Sequence, residues 1–149
     1  MRWQTTITAP SVIYRLFAAL QPLGERAIMH ISPDQVRVVM TGGLNLTDGE
    51  EVFARLPVTG EFSIFRSFLV ESKRENNIYL TVDILNVLQA FRSLDNECSM
   101  RLTKRGSQPL LSLGLDTDTM TTVQEIPVVY VRIVLTLLLA YISDIQRIV

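Results

Sequence analysis

Twice along the chain the apolar spacing switches from every second residue to the 3.6-residue period of a helix, and twice it switches back after about three turns. A chain that does this between short turns must lay two helices on a sheet built largely from hairpins. The first helical stretch is SVIYRLFAALQ, Ser11 to Gln21, in which Val12, Ile13, Leu16, Phe17 and Leu20 form one stripe and Ser11 stands in the N-cap region. Pro22 and Gly24 end it. The second is DILNVLQAFRSL, where Ile84, Val87, Leu88, Phe91 and Leu94 share a face. Asn86, Gln89 and Ser93 lie opposite, and Asp83 is the candidate N-cap.

Around these helices the pattern is extended. Arg2 to Ile7 sets Trp3, Thr5 and Ile7 on one side against Gln4 and Thr6 on the other. Ala27 to Ile31, a Ser32-Pro33-Asp34 turn and Gln35 to Thr41 predict a hairpin, and the loop TGGLNLTDGEE precedes a strand at Val52 to Leu56. Phe62 to Val70, the solvated turn ESKRENN and a strand at Ile78 to Val82 follow. After the second helix, Glu97 to Thr103 and Pro109 to Leu115 flank the turn Lys104-Arg105-Gly106-Ser107, and Met120 to Val128 is the last strand. The fold class expected is α+β, antiparallel sheets carrying two helices on one face.

Neither helical stretch contains a carboxylate between Ser11 and Gln21 or between Ile84 and Leu94, although the chain is net acidic, with 14 Lys and Arg against 15 Asp and Glu. Glu is among the commonest residues on a solvated helix, so two acid-free helices are expected to face something negative. The same balance gives no broad basic field, and any contact with nucleic acid falls to a locally arranged face.

Other chemistry finds little support. His30, the single histidine, sits in strand-like AIMHIS and reads as structural. Cys98 has no partner for an internal disulfide and reads as a buried thiol. Gly42-Gly43 lacks the Lys-Ser/Thr of a phosphate loop, and Asp116 with Asp118 reads as a solvated turn. No catalytic residue, metal site or cofactor is expected. MRWQTTITAPS has no apolar segment behind its arginine, so an intracellular protein is expected and Asn45-Leu46-Thr47 is only a loop tripeptide.

The chain closes on RIVLTLLLAYISDIQRIV. Its apolar run, Ile133 to Ile142, is about half the length a membrane-spanning helix needs. Extending the run upstream puts Arg132 near the bilayer centre, at about 2.5–3.5 kcal/mol. No membrane is expected, the alternative being a tail-anchored protein with a soluble antiparallel domain. SDIQRIV laid over SVIYRLF matches at Ser, Ile and Arg, and each follows an extended segment. Residues 1–128 are therefore expected to form one domain, and 129–149 a compressed linker and the incomplete start of a second copy.

Several stretches then point to a family: MRWQTTI, HISPDQVRVVM, ENNIYLTV, MRLTKRGSQPLLSL and VQEIPVVYV, with SMRLTK, QPLLSL and QEIPV the most specific. Over Met1 to Val128 the chain resembles the Hus-one subunits of the heterotrimeric checkpoint sliding clamp, the nine-one-one complex. The resemblance implies a sliding-clamp domain in a subunit of two such domains, about twice this length. The chain departs from that pattern between Val128 and Leu139, and stops inside the second domain's first helix. The resemblance further implies a noncatalytic nuclear ring of this and two other subunits, placed by a clamp loader on duplex DNA without sequence specificity and serving checkpoint signalling and repair. A homotrimeric replication clamp is the alternative. The positions implied to face DNA are Ser11, Tyr14, Arg15, Gln21, Asn86, Gln89, Arg92, Ser93 and Arg147. An edge strand within Gln108 to Leu115, with Leu110, Leu111, Ser112, Leu113 and Leu115, is implied to add to a neighbouring subunit, an interior strand being the alternative.

Overall fold

The computed structural model describes residues 1–40 and 52–131. In chain order these hold β1 (Arg2–Ile7), α1 (Pro10–Leu20), a 3-10 turn (Gln21–Leu23), β2 (Arg26–Ile31), β3 (Gln35–Met40), β4 (Val52–Pro57) and β5 (Phe65–Glu71). Then come β6 (Ile78–Asp83), α2 (Ile84–Phe91), β7 (Cys98–Arg105), β8 (Gln108–Asp116) and β9 (Thr121–Tyr130). The strands make one sheet in the order β4-β3-β2-β6-β9-β8-β7-β1-β5, every pairing antiparallel.

β9 joins the two halves of that sheet. It pairs with β8 along Thr121–Pro127 and with β6 only at Val128–Tyr130. Each helix crosses from one half to the other: α1 leaves β1 and delivers the chain to β2, while α2 leaves β6 and delivers it to β7. Two crossings in opposite senses put both helices side by side, in contact with each other.

The stripes read from the sequence face inward. Ile13, Phe17 and Leu20 of α1 and Ile84, Val87, Leu88 and Phe91 of α2 join one apolar cluster with Trp3, Met29, Leu80, Leu111 and Ile126 of the sheet. Packing leaves an apolar cavity of about 20 Å³ between Trp3, Phe17, Phe91, Met100 and Leu111, too small to seat more than about one water. Thr5 shares the inward side of β1 with Trp3 and Ile7, and its hydroxyl is satisfied by Arg66 O at 3.1 Å.

Local chemistry moved several boundaries. α1 opens at Pro10, with Ala9 as N-cap and no side-chain cap, because proline's fixed φ suits the first helical position. Ser11 is thus inside the helix. Asp83 does cap α2, accepting from Leu85 N at 3.0 Å. α2 stops at Phe91, which leaves Ser93 in the turn beyond it. The strand expected from Phe62 starts only at Phe65: Gly60 takes φ 97°, and the Ser63 hydroxyl donates to Val58 O at 2.9 Å and accepts from Phe65 N. β9 runs two residues past the expected boundary at 128, to Tyr130. The expected second-copy fragment and Gly42-Gly43 lie outside the described residues.

Candidate nucleic-acid interface

The helix pair covers one face of the sheet, and what it turns away from the core is mostly polar and free of acid. On α1, Ser11 and Arg15 are exposed and Tyr14 is half-buried. Arg15 lies back along its own helix, reaching Ser11 O and Ser11 Oγ at 3.5 Å, the loose four-residue contact expected on a helix surface. Gln21 is exposed on the 3-10 turn. On α2, Gln89 is exposed and Asn86 half-buried; Arg92 is the exposed C-cap residue and Ser93 is exposed just after it. α1 and α2 therefore bring these eight positions onto neighbouring elements. Arg147 lies outside the described residues.

Leu85 was not foreseen on this face. It is 54% exposed, four residues before Gln89 and seven before Arg92, so it shares their side of α2. Its position off the Ile84, Val87, Leu88 stripe was the available signal. Neither helix has an acidic residue in its first turn or a basic one in its last, and the nearest carboxylates in sequence, Glu25, Asp83 and Asp95, flank the helices. Such a surface can attract a polyanion weakly through Arg15 and Arg92 and offer amide and hydroxyl hydrogen bonds to phosphate oxygens, with no arrangement for reading bases.

The strand expected to form an edge is interior. β8 pairs with β7 from Ser99↔Gly114 to Arg105↔Gln108 and with β9 from Leu110↔Pro127 to Asp116↔Thr121, so both sides of its backbone are occupied. Leu111 and Leu113, 1% and 2% exposed, belong to the core; Leu110 and Ser112 are also buried, and Leu115 is half-buried. A strand already bonded on both sides has no donors or acceptors left for a neighbour.

Open backbone lies elsewhere among the described residues. β4 and β5 end the sheet order. β5 carries a bulge opposite Thr5, where the register to β1 shifts and Ser67 adopts φ 54°, a feature that twists an edge away from flat pairing. Arg66 and Glu97 bridge in two parallel contacts of 2.8 and 2.6 Å beside that bulge, each holding the other charged. The third opening is on β9. Val131 donates its N–H to Tyr79 O on the β6 side at 3.1 Å, so by the two-residue alternation of a strand the odd-numbered residues turn their backbone groups away from β8. Between Thr121 and Pro127 no strand meets them among the described residues. Pro127, which lacks an N–H, falls in this outward set and costs the β8 ladder nothing.

His30 Nε2 is 2.8 Å from Asn77 Oδ1 and its ring stacks on Tyr79, centroids 4.3 Å apart; burial holds its pKa below the ordinary value. Burial pushes the Cys98 thiol up to about 11, the opposite of an activated nucleophile. Asp116 and Asp118 are exposed, and no group of three His, Cys, Asp or Glu suited to a metal gathers among the described residues. No described helix is long and apolar enough to cross a membrane; the closing apolar run lies outside the described residues.

A family model described as Hus1-like protein matches residues 1–137. The checkpoint protein hus1 of Schizosaccharomyces pombe is 34% identical over 116 residues, which is 76% of this chain and 38% of that protein. The checkpoint protein hus1 homolog of Dictyostelium discoideum is 26% identical over 135 residues, 87% of this chain and 48% of that protein. The chain thus spans less than half the length of either of these relatives.

Proposed function

The chain belongs to the Hus1-like family, and on that premise we propose that it is a noncatalytic subunit of a ring-shaped DNA-damage checkpoint clamp. In this reading it works in the nucleus with two other subunits, is placed on duplex DNA by a clamp loader, and serves as a platform for checkpoint signalling and repair proteins. The observation that carries it is the pair of contacting helices whose outward side holds Arg15, Gln89 and Arg92 and no carboxylate. A surface that must let DNA slide has to attract phosphates without holding them, and two arginines among amides and hydroxyls meet that requirement. Weak attraction suffices for a closed ring, because escape requires opening it.

The open outer side of β9 is the surface proposed to receive a neighbouring subunit by strand addition. It takes the place of β8, whose backbone is fully paired.

The test of the DNA face is Arg15→Glu with Arg92→Glu in the assembled ring loaded on circular DNA. Reversing both charges is expected to shorten retention by about tenfold at low salt, with a smaller effect as salt screens the field. Unchanged retention at low salt rejects the assignment of this face. Light scattering on the isolated chain separates the homotrimeric alternative, since self-trimerisation contradicts a heterotrimeric role.

A further inference from the structure

We infer that the open cavity between the start of β6 and the end of β9 binds a phosphorylated side chain of a partner peptide. The cavity, about 320 Å³, is lined by Ser72, Lys73, Arg74, Asn77, Tyr79 and Tyr130, with Met1, Ile78 and Val131 completing it. Among the described residues no Asp or Glu lines it, in a chain whose net charge is -1.

Its basic wall is held in place by a strained turn. Glu75 and Asn76 both adopt left-handed backbone, φ 56° and 61°, which glutamate tolerates only where its surroundings insist. Those surroundings are visible. The Ser72 hydroxyl donates to Asn77 O at 2.7 Å and accepts from Arg74 N at 3.0 Å, while Ser72 N donates to Asn76 Oδ1 at 3.1 Å. The Asn77 amide donates to Arg74 O and Glu75 O. Lys73 and Arg74 are consequently presented from a fixed backbone, which lowers the entropy lost when they bind an anion.

The aromatic wall is fixed as well. With both amide hydrogens of Asn77 committed, its Oδ1 accepts from His30, so Nε2 of His30 carries the proton. His30 in turn stacks on Tyr79 at 4.3 Å, rings 5° from parallel. Burial raises the Tyr79 phenol above its ordinary pKa while the charges of Arg37 and Arg74 oppose that rise, so two guanidiniums lie within electrostatic reach of one hydroxyl donor.

A phosphate monoester suits this arrangement better than a carboxylate. It brings a charge of about -1.5 to -2 and three acceptor oxygens, matched by an ammonium, a guanidinium and phenolic donors. The volume beyond the phosphate admits the flanking peptide against Tyr130. Duplex DNA is the competing occupant, and α2 begins at Ile84, five residues along β6 from Tyr79, or roughly 16 Å of extended chain, so the cavity stands apart from the start of that helix.

The experiment is a nuclear magnetic resonance titration of the isotopically labelled full chain with a short acetylated Gly-phosphoserine-Gly peptide. The same titration is repeated with the unphosphorylated peptide, with inorganic phosphate and with a short DNA duplex. Saturable shifts confined to the amides around Lys73 to Tyr79 are expected with the phosphopeptide, absent with its unphosphorylated form and about tenfold weaker with inorganic phosphate. Lys73→Glu with Arg74→Glu, both exposed, is expected to weaken binding by about tenfold or more while leaving the spectrum dispersed. The milder Tyr79→Phe keeps the stack on His30 and is expected to weaken it less. Absence of saturable shifts, equal binding by the double variant, or equal binding of inorganic phosphate overturns the proposal. So does a duplex that moves the same amides at lower concentration.

Discussion

His30 is a titratable group whose ring is taken up by its neighbours in the fold. It stands on the outer side of β2, opposite Arg37 on β3 and Tyr79 on β6, with its ring stacked and its Nε2 engaged by Asn77. Burial lowers its pKa most, the Asn77 contact opposes that, and Arg37 lowers it further. The unfolded chain therefore takes up a proton near pH 6.5 while the folded chain does not until lower pH. Unfolding then consumes a proton, and the stability present above pH 6.5 is lost as pH falls through and below that value. The urea midpoint is expected to drop between about pH 7 and pH 5.5, and His30→Phe, which keeps an aromatic ring against Tyr79 but cannot titrate, is expected to flatten that drop. An equal drop in both proteins would assign the dependence to other groups.

At the level of elements, β8 separates two roles that look alike in a sequence. Its alternation of Leu111 and Leu113 with Leu110 and Ser112 suits an edge that buries residues only on assembly, and equally an interior strand. The structure makes it interior, so Leu111→Ala is expected to cost the isolated chain about 2–5 kcal/mol in urea unfolding. An interface leucine would leave the isolated chain's stability nearly unchanged. The helices were legible because a 3.6-residue stripe has only one structural meaning: Ile13, Phe17, Val87 and Phe91 are buried as read. Asp83 was legible as a cap because carboxylates at that position satisfy a free N–H. The interior place of β8 was not, although both of its neighbours are one turn away, Arg105↔Gln108 on β7 and Asp116↔Thr121 on β9, because side-chain alternation does not say which strand leaves its backbone open. Phe62 was misread as strand because an apolar run conceals the turn that Gly60 and Ser63 impose.

For the whole molecule, the proposed ring assigns strand addition to the outward backbone of β9. Thr121, Val123 and Glu125 turn N–H and C=O groups away from β8, and Val123 is also 55% exposed at its side chain. Val123→Pro removes one outward donor and leaves the β8 ladder its own, because that ladder uses the alternate residues. The isolated variant is expected to unfold within about 1 kcal/mol of the parent. Its assembly with the two proposed partner subunits, followed by light scattering, is expected to weaken by about tenfold or more as the added strand loses a hydrogen bond and meets a proline ring. Gln124→Pro supplies the contrast, since residue 124 faces β8 and losing its N–H breaks the fold's own ladder. If Val123→Pro assembles like the parent, the neighbour docks elsewhere. Among the described strands β4 is then the remaining candidate, because β5 is already turned aside by the bulge at Ser67.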